Sequence, residues 1–188
     1  MTMAWHPRPC VSGAIAADFD KSPAWTSPLA ELHRIAVADN DSDTYFALAE
    51  LSFLHAVRTN DRGYALMTAI YAWSFLYGGE EVDPYDPRLR LAANLYNRGL
   101  TLGLEDRSLH VVTITSSVRK LPIGLLNVTF DPVVLEWNGR HLHDFIPIAE
   151  LKVQGLENRF RTPGIGAPLA ASAAPLQGDA PDDFLAPA

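Results

Sequence analysis

The residues best equipped for chemistry in this chain are His141-Leu142-His143-Asp144. On a β-strand His141 and His143 point to the same side, and a His-x-His pair is a fragment of many metal sites. A working site takes three or four ligands. No further His, Cys, Asp or Glu set stands at matching spacing. The cluster therefore reads as the exposed face of a hairpin, ahead of a metal hydrolase built on His141, His143 and Asp144. No metal or other cofactor is expected.

Nucleophilic catalysis asks for a Ser or Cys, a base and an orienting acid. The Gly-x-Ser-x-Gly elbow that exposes such a serine is absent. His55 lies on an apolar helix, with Glu50 five residues before it and off its face, so it reads as a core or interfacial histidine. The lone Cys10 cannot close an internal disulfide. The Trp5-His6-Pro7-Arg8-Pro9 stretch before it lacks the apolar run of a signal for lipid attachment. Pro163-Gly164-Ile165-Gly166-Ala167-Pro168 matches no phosphate-binding glycine pattern. It reads as a tight turn where backbone approaches another surface. No catalytic, cofactor-binding or metal-binding residue is assigned.

The bulk properties narrow the partners. A net charge of −7 argues against nucleic acid, whose binders show a basic patch or stripe. With 48% apolar and 20% charged residues over 188 positions, the chain has ordinary globular composition and length for one domain. No signal peptide or membrane span is visible in the sequence.

The elements are organised around one helix, Gly63 to Tyr77, which carries no charged side chain. Apolar residues surround it, so its neighbours must bury it on every side. It is shorter than the roughly 20 apolar residues that cross a bilayer. Asn60-Asp61 offers side-chain caps at its start, and Gly78-Gly79 permits a left-handed cap at its end. A helix over Pro28–Val37 and another over Thr44–Val57 precede it, the second linked so briefly that the two must be antiparallel neighbours. Asp86-Pro87 opens a fourth helix, with Leu89, Ala92, Ala93, Tyr96 and Leu100 as its apolar face, ending near Gly103.

Beyond it the apolar period changes to two. Strands are expected over Leu109–Ser117, Leu125–Phe130 and Ala149–Gly155. A type I′ hairpin is expected over Val133–Leu142, because Asn138-Gly139 supplies two residues tolerant of positive φ. Helices followed by strands make the fold α+β: an antiparallel helical half, then a small antiparallel sheet. Residues 1–27 read as an irregular arm, 28–161 as the domain (helices over 28–103, strands over 108–155), and 162–188 as an Ala/Pro-rich linker or tail. Both ends are expected to be disordered.

Several stretches together resemble a known family. They are Tyr45–His55, Asp83–Ala92, Leu95–Leu100 and, most specific, Gly155–Leu169. They look like the N-terminal region of large bacterial α/β-hydrolase-fold proteins, serine esterases or lipases. In that family the nucleophile elbow lies well after this region, so the resemblance transfers no catalytic residue. It implies a non-catalytic accessory segment, cut short before the catalytic core, that covers the core or shapes substrate access. Its partner would be that C-terminal hydrolase core. The alternative is a stand-alone helical interaction module with a protein partner. It would use a groove on the helical hairpin with Arg88, Arg90 and Arg98 as contacts. The pair over Asp43–Gly79 has the size of one tetratricopeptide-type unit, but an array needs about three.

Overall fold

A computed structural model describes residues 27–78, 83–106, 111–131, 135–148 and 164–175. Helices α1 (Ser27–Asp39), α2 (Ser42–Thr59), α3 (Arg62–Tyr77) and α4 (Arg88–Leu104) come first. Strands β1 (Glu105–Asp106), β2 (Val111–Val112), β3 (Ser117–Leu121), β4 (Gly124–Val128), β5 (Glu136–Trp137), β6 (Arg140–Pro147) and β7 (Leu169–Pro175) follow. The fold is α+β.

Local chemistry sets the helix ends. Asp41 accepts from the Thr44 amide at 2.9 Å and from its hydroxyl, opening α2. Asn60 turns left-handed at φ 62° to close α2, and the Asp61 carboxylate then accepts from the Gly63 amide at 2.7 Å to open α3. The two helices are thus stopped and restarted within three residues, which folds them back as neighbours. Asp86 accepts from the Arg88 amide at 2.8 Å, so the capping expected of it is present although α4 is counted from Arg88. Of the Gly78-Gly79 pair expected to cap α3, Gly79 lies outside the described residues and Gly78 is not left-handed. Its φ of −88° is right-handed, and its N–H bonds Ser74 O in a last helical step.

Helix α3 is the centre. Tyr64, Met67, Tyr71, Ala72 and Phe75 are essentially without solvent contact. It packs against α2, α4 and β3, while α1 lies on α2. The buried seam of α4 is Ala92, Leu95, Gly99 and Gly103. Of the face that apolar periodicity predicts, Ala92 belongs to it and Leu89 and Tyr96 pack against the core, while Leu95 and the two glycines are not expected. The reason is steric. A Cβ on Gly99 would lie 2.7 Å from Ala65 O and 2.8 Å from Ala69 N, so α4 meets the α3 backbone directly at a side chain-free position.

The sheet half differs from the sequence expectation in its breaks. The single strand expected over Leu109–Ser117 is not continuous. Val111–Val112 pairs with β1 and β6, and β3 begins only at Ser117, pairing with β4 in a separate hairpin. Four β-branched or polar residues, Thr113–Ser116, connect two different sheets, and residue-type preference cannot show such a change of partner. Leu121 and Ile123 of the β3–β4 hairpin insert into the helical core. The hairpin at Asn138-Gly139 forms as expected, with φ of 51° and 74° and Trp137 opposite Arg140. The expected strand over Ala149–Gly155 lies outside the described residues, as do residues 1–26 and 176–188.

One expectation is corrected. Leu169–Pro175, assigned to the linker or tail, is β7, antiparallel to β6. Its small side chains bury little, and main-chain pairing to a strand already held in the sheet supplies what side chains do not.

Candidate functional site

Helices α2 and α4 flank α3 and run parallel to each other. Two contacts fix their register at one offset. Arg88 bonds Asp43 at 2.6 Å, 45 residues apart, and the Arg98 guanidinium lies 4.4 Å from the Phe53 ring centroid, again 98 − 53 = 45. On the side away from α3 the two helices leave an open trough of about 450 Å³. Its walls are Ala47, Glu50, Leu51, Phe53 and Leu54 from α2 and Leu91, Asn94, Leu95 and Arg98 from α4. Leu51, Leu54 and Leu91 are 41%, 58% and 43% exposed. Isolated exposed leucines need no explanation; here three line one concavity.

The α2 side of this surface follows from its sequence. Phe46, Leu48, Ala49, Ser52 and Ala56 face inward. The adjoining Ala47, Glu50, Leu51 and Leu54 are left to line the trough, and α2 is apolar over both stripes. On α4 the Gly99 seam draws the helix close to α3 and turns Leu91 and Asn94 outward.

The three arginines proposed as contacts separate. Arg88 is engaged internally. Its guanidinium bonds both oxygens of Asp86 at 2.7–3.0 Å and Asp43 at 2.6 Å, and lies 5.6 Å and 5.3 Å from the Phe46 and Phe75 ring centroids. Hydrogen bonds from Arg88 hold the Asp86 carboxyl below the usual carboxylate range, and Asp86 with Asp43 raises Arg88 in turn. This is a clamp between the starts of α2 and α4, not a free contact. Arg90 faces solvent outside the trough. Arg98 lies on its wall.

The His-x-His cluster falls on β6. His141 opposes Ala174 and His143 opposes Ser172. The register slips between His143 and Ile146, with Asp144 left-handed at φ 51°. This bulge interrupts the alternation, and His143 Nδ1 bonds Asp144 Oδ2 at 2.8 Å on the exposed surface. Among the described residues no three His, Cys, Asp or Glu side chains converge to hold a metal. Among the described residues no helix is long and apolar enough to cross a membrane. His55 is half-buried, its ring 4.0 Å from that of Tyr64.

Two polar features escaped sequence reasoning. His33 and Tyr71, on α1 and α3, share a buried hydrogen bond of 2.8 Å. Burial pushes the histidine down and the phenol up. Asn97 bonds Gly164 O at 2.9 Å and accepts from the Gly166 amide at 2.8 Å, fastening the glycine turn to α4. The turn reading of that segment holds, though its glycines serve positive φ (140° and 118°) and not close packing, since a Cβ on either would meet nothing within 4 Å.

No family model, curated protein or solved structure matches the chain.

Proposed function

We propose that this chain is a non-catalytic accessory segment of an α/β-hydrolase-like esterase or lipase, docked on the hydrolase core through the α2–α4 trough. The exposed leucine trough supports this reading. A segment that covers a catalytic core must offer apolar surface to it, and Leu51, Leu54 and Leu91 do so within one concavity of the helical unit. The resemblance over Gly155–Leu169 supplies the hydrolase class. The end of that stretch is fastened to the same helix, α4, through Asn97.

The test is a photoreactive amino acid at position 54 in the protein made in its own cells, with the adduct sequenced. The expected adduct is a polypeptide region carrying a Gly-x-Ser-x-Gly elbow, with ester hydrolysis by the complex that falls on Leu54→Asp. Adducts confined to proteins without that elbow would overturn the hydrolase reading. They would favour the stand-alone interaction module, which the charged residues on the trough walls, Glu50 and Arg98, also suit.

A further inference from the structure

We propose that the occupant of the trough is one amphipathic helix of the partner, antiparallel to α2 and α4, with a carboxylate at the Arg98 end and a Lys or Arg at the Glu50 end. This rests on the docking reading above and names the chemistry of the docked element.

The trough has the dimensions of a helix site. Ala47 to Leu54 and Leu91 to Arg98 each cover seven steps, about 10 Å or two turns. Two turns match an apolar stripe read as i, i+3, i+4 and i+7. The parallel walls, with α3 antiparallel on the inner side, leave an outer slot where another antiparallel helix would complete a bundle.

The charges give that slot a direction. The offset of 45 places Glu50 level with Leu95 on the opposite wall, since 95 − 50 = 45, so Arg98 stands three residues further along, about 4.5 Å. Neither Glu50 nor Arg98 has an ion-pair partner among the described residues, whereas Arg88 at the start of α4 has two. Beside an apolar floor, each sets a requirement on whatever covers it: an acid for Arg98, a base for Glu50. An antiparallel helix has its N-terminal half at the Arg98 end. An acid is favoured there and a base towards the other end by the occupant's own dipole, so both effects select the same orientation.

The probe is a synthetic helical peptide of about 18 residues. It carries a leucine stripe, with one Glu and, a turn later, one Lys on opposite flanks, and a nitroxide on its N-terminus. The wild-type chain should bind it, with paramagnetic broadening stronger at Leu54 and Arg98 than at Ala47 and Leu91. Arg98→Glu and Glu50→Lys, both exchanging charges on trough walls, should each weaken binding about fivefold. The doubly exchanged protein should recover affinity for a peptide with its Glu and Lys exchanged, broadening the same end. Binding indifferent to these exchanges would overturn the proposal, as would broadening stronger at the Ala47 end than at the Arg98 end. So would a concentration-dependent dimer of the free chain that Leu54→Asp dissolves, because a second copy would then fill the trough. The two proposals fail separately. A non-hydrolase partner crosslinked through such a helix removes the hydrolase class alone. A hydrolase core whose docking ignores Arg98→Glu and Glu50→Lys removes the helix chemistry alone.

Discussion

At the scale of single residues, position in the packing decides what a polar group does, and residue type is a poor guide. His33, His55 and His143 are three histidines with three environments. His143 faces solvent beside Asp144, His55 stacks on Tyr64, and His33 is buried against the Tyr71 hydroxyl. Burial depresses the titration of His33, and that gives a pH dependence with a definite sign. Between its lowered folded value and the unfolded value near about 6.5, the unfolded chain binds a proton that the folded chain does not. The stabilisation is therefore complete above about pH 6.5 and declines as pH falls through that window. Tyr71 and Tyr45 face the same pocket as neutral groups at these pH values, so they add no competing charge. The depressed carboxylates Glu31, Asp41 and Asp86 begin to lose their contribution only below about pH 5. Urea midpoints taken at about pH 7.5 and about pH 5 should fall on acidification in the wild type. The fall should be much smaller in His33→Gln, which keeps a polar group but cannot titrate there. An equal fall in both proteins would place the titrating group elsewhere.

At the scale of elements, the α3–α4 contact turns on the missing side chain of Gly99. Helix propensity alone favours Gly99→Ala by about 1 kcal/mol. The new methyl would press on Ala65 O and Ala69 N, both backbone atoms that cannot rotate aside. Forced helix separation of this kind costs about 1–3 kcal/mol, so the net effect is loss. Gly103→Ala is the comparison, since its methyl first meets the end of the Leu66 side chain; it should lower the denaturation midpoint less than Gly99→Ala does. Asn97 acts between elements. Asn97→Ala removes both hydrogen bonds to the Gly164–Gly166 turn. Because these bonds are exposed, the expected result is faster amide exchange at Gly166 with a global stability change of only about 0.5–1.5 kcal/mol. These contacts also mark where the sequence stops being legible. Residues 63–77 announced a central helix through their uncharged, all-round apolar composition, and Asn138-Gly139 announced its turn through φ tolerance. The α4 face was legible at Leu89, Ala92 and Tyr96, but Gly99 and Gly103 were missed because an apolar count passes over glycine. Strand β7 was missed because its pairing with β6 depends on main chain, which every residue has.

At the scale of the whole molecule, the layers are filled on one side and open on the other. The inner surface of the α2–α3–α4 layer takes up β3 and the buried Leu121 and Ile123, and α1 closes on α2 and α3. The outer surface between α2 and α4 is left as the leucine trough. Sequence pattern could indicate that α2 is apolar over more than one stripe. It could not indicate which stripe lacks a neighbour, since that depends on the parallel register set by Arg88–Asp43 and Arg98–Phe53, contacts 45 residues apart. The distinction between core and docking surface is testable through the independence of folding and binding. Leu54 is 58% exposed, so Leu54→Asp should change stability by no more than about 0.5 kcal/mol. The same change puts a carboxylate on the wall of the trough at its Arg98 end, where a covering apolar side chain would have to desolvate it at a cost of several kcal/mol. Hydrophobic-dye fluorescence of the free chain should therefore drop and partner binding should be lost, while the thermal midpoint holds. Leu48→Ala, earlier on the same helix and on its buried face, should do the reverse. It should cost about 2–5 kcal/mol of stability and leave the affinity of the remaining folded protein unchanged. If Leu54→Asp instead lowered the thermal midpoint as far as Leu48→Ala does, the trough would be part of this chain's own core and not a surface for another.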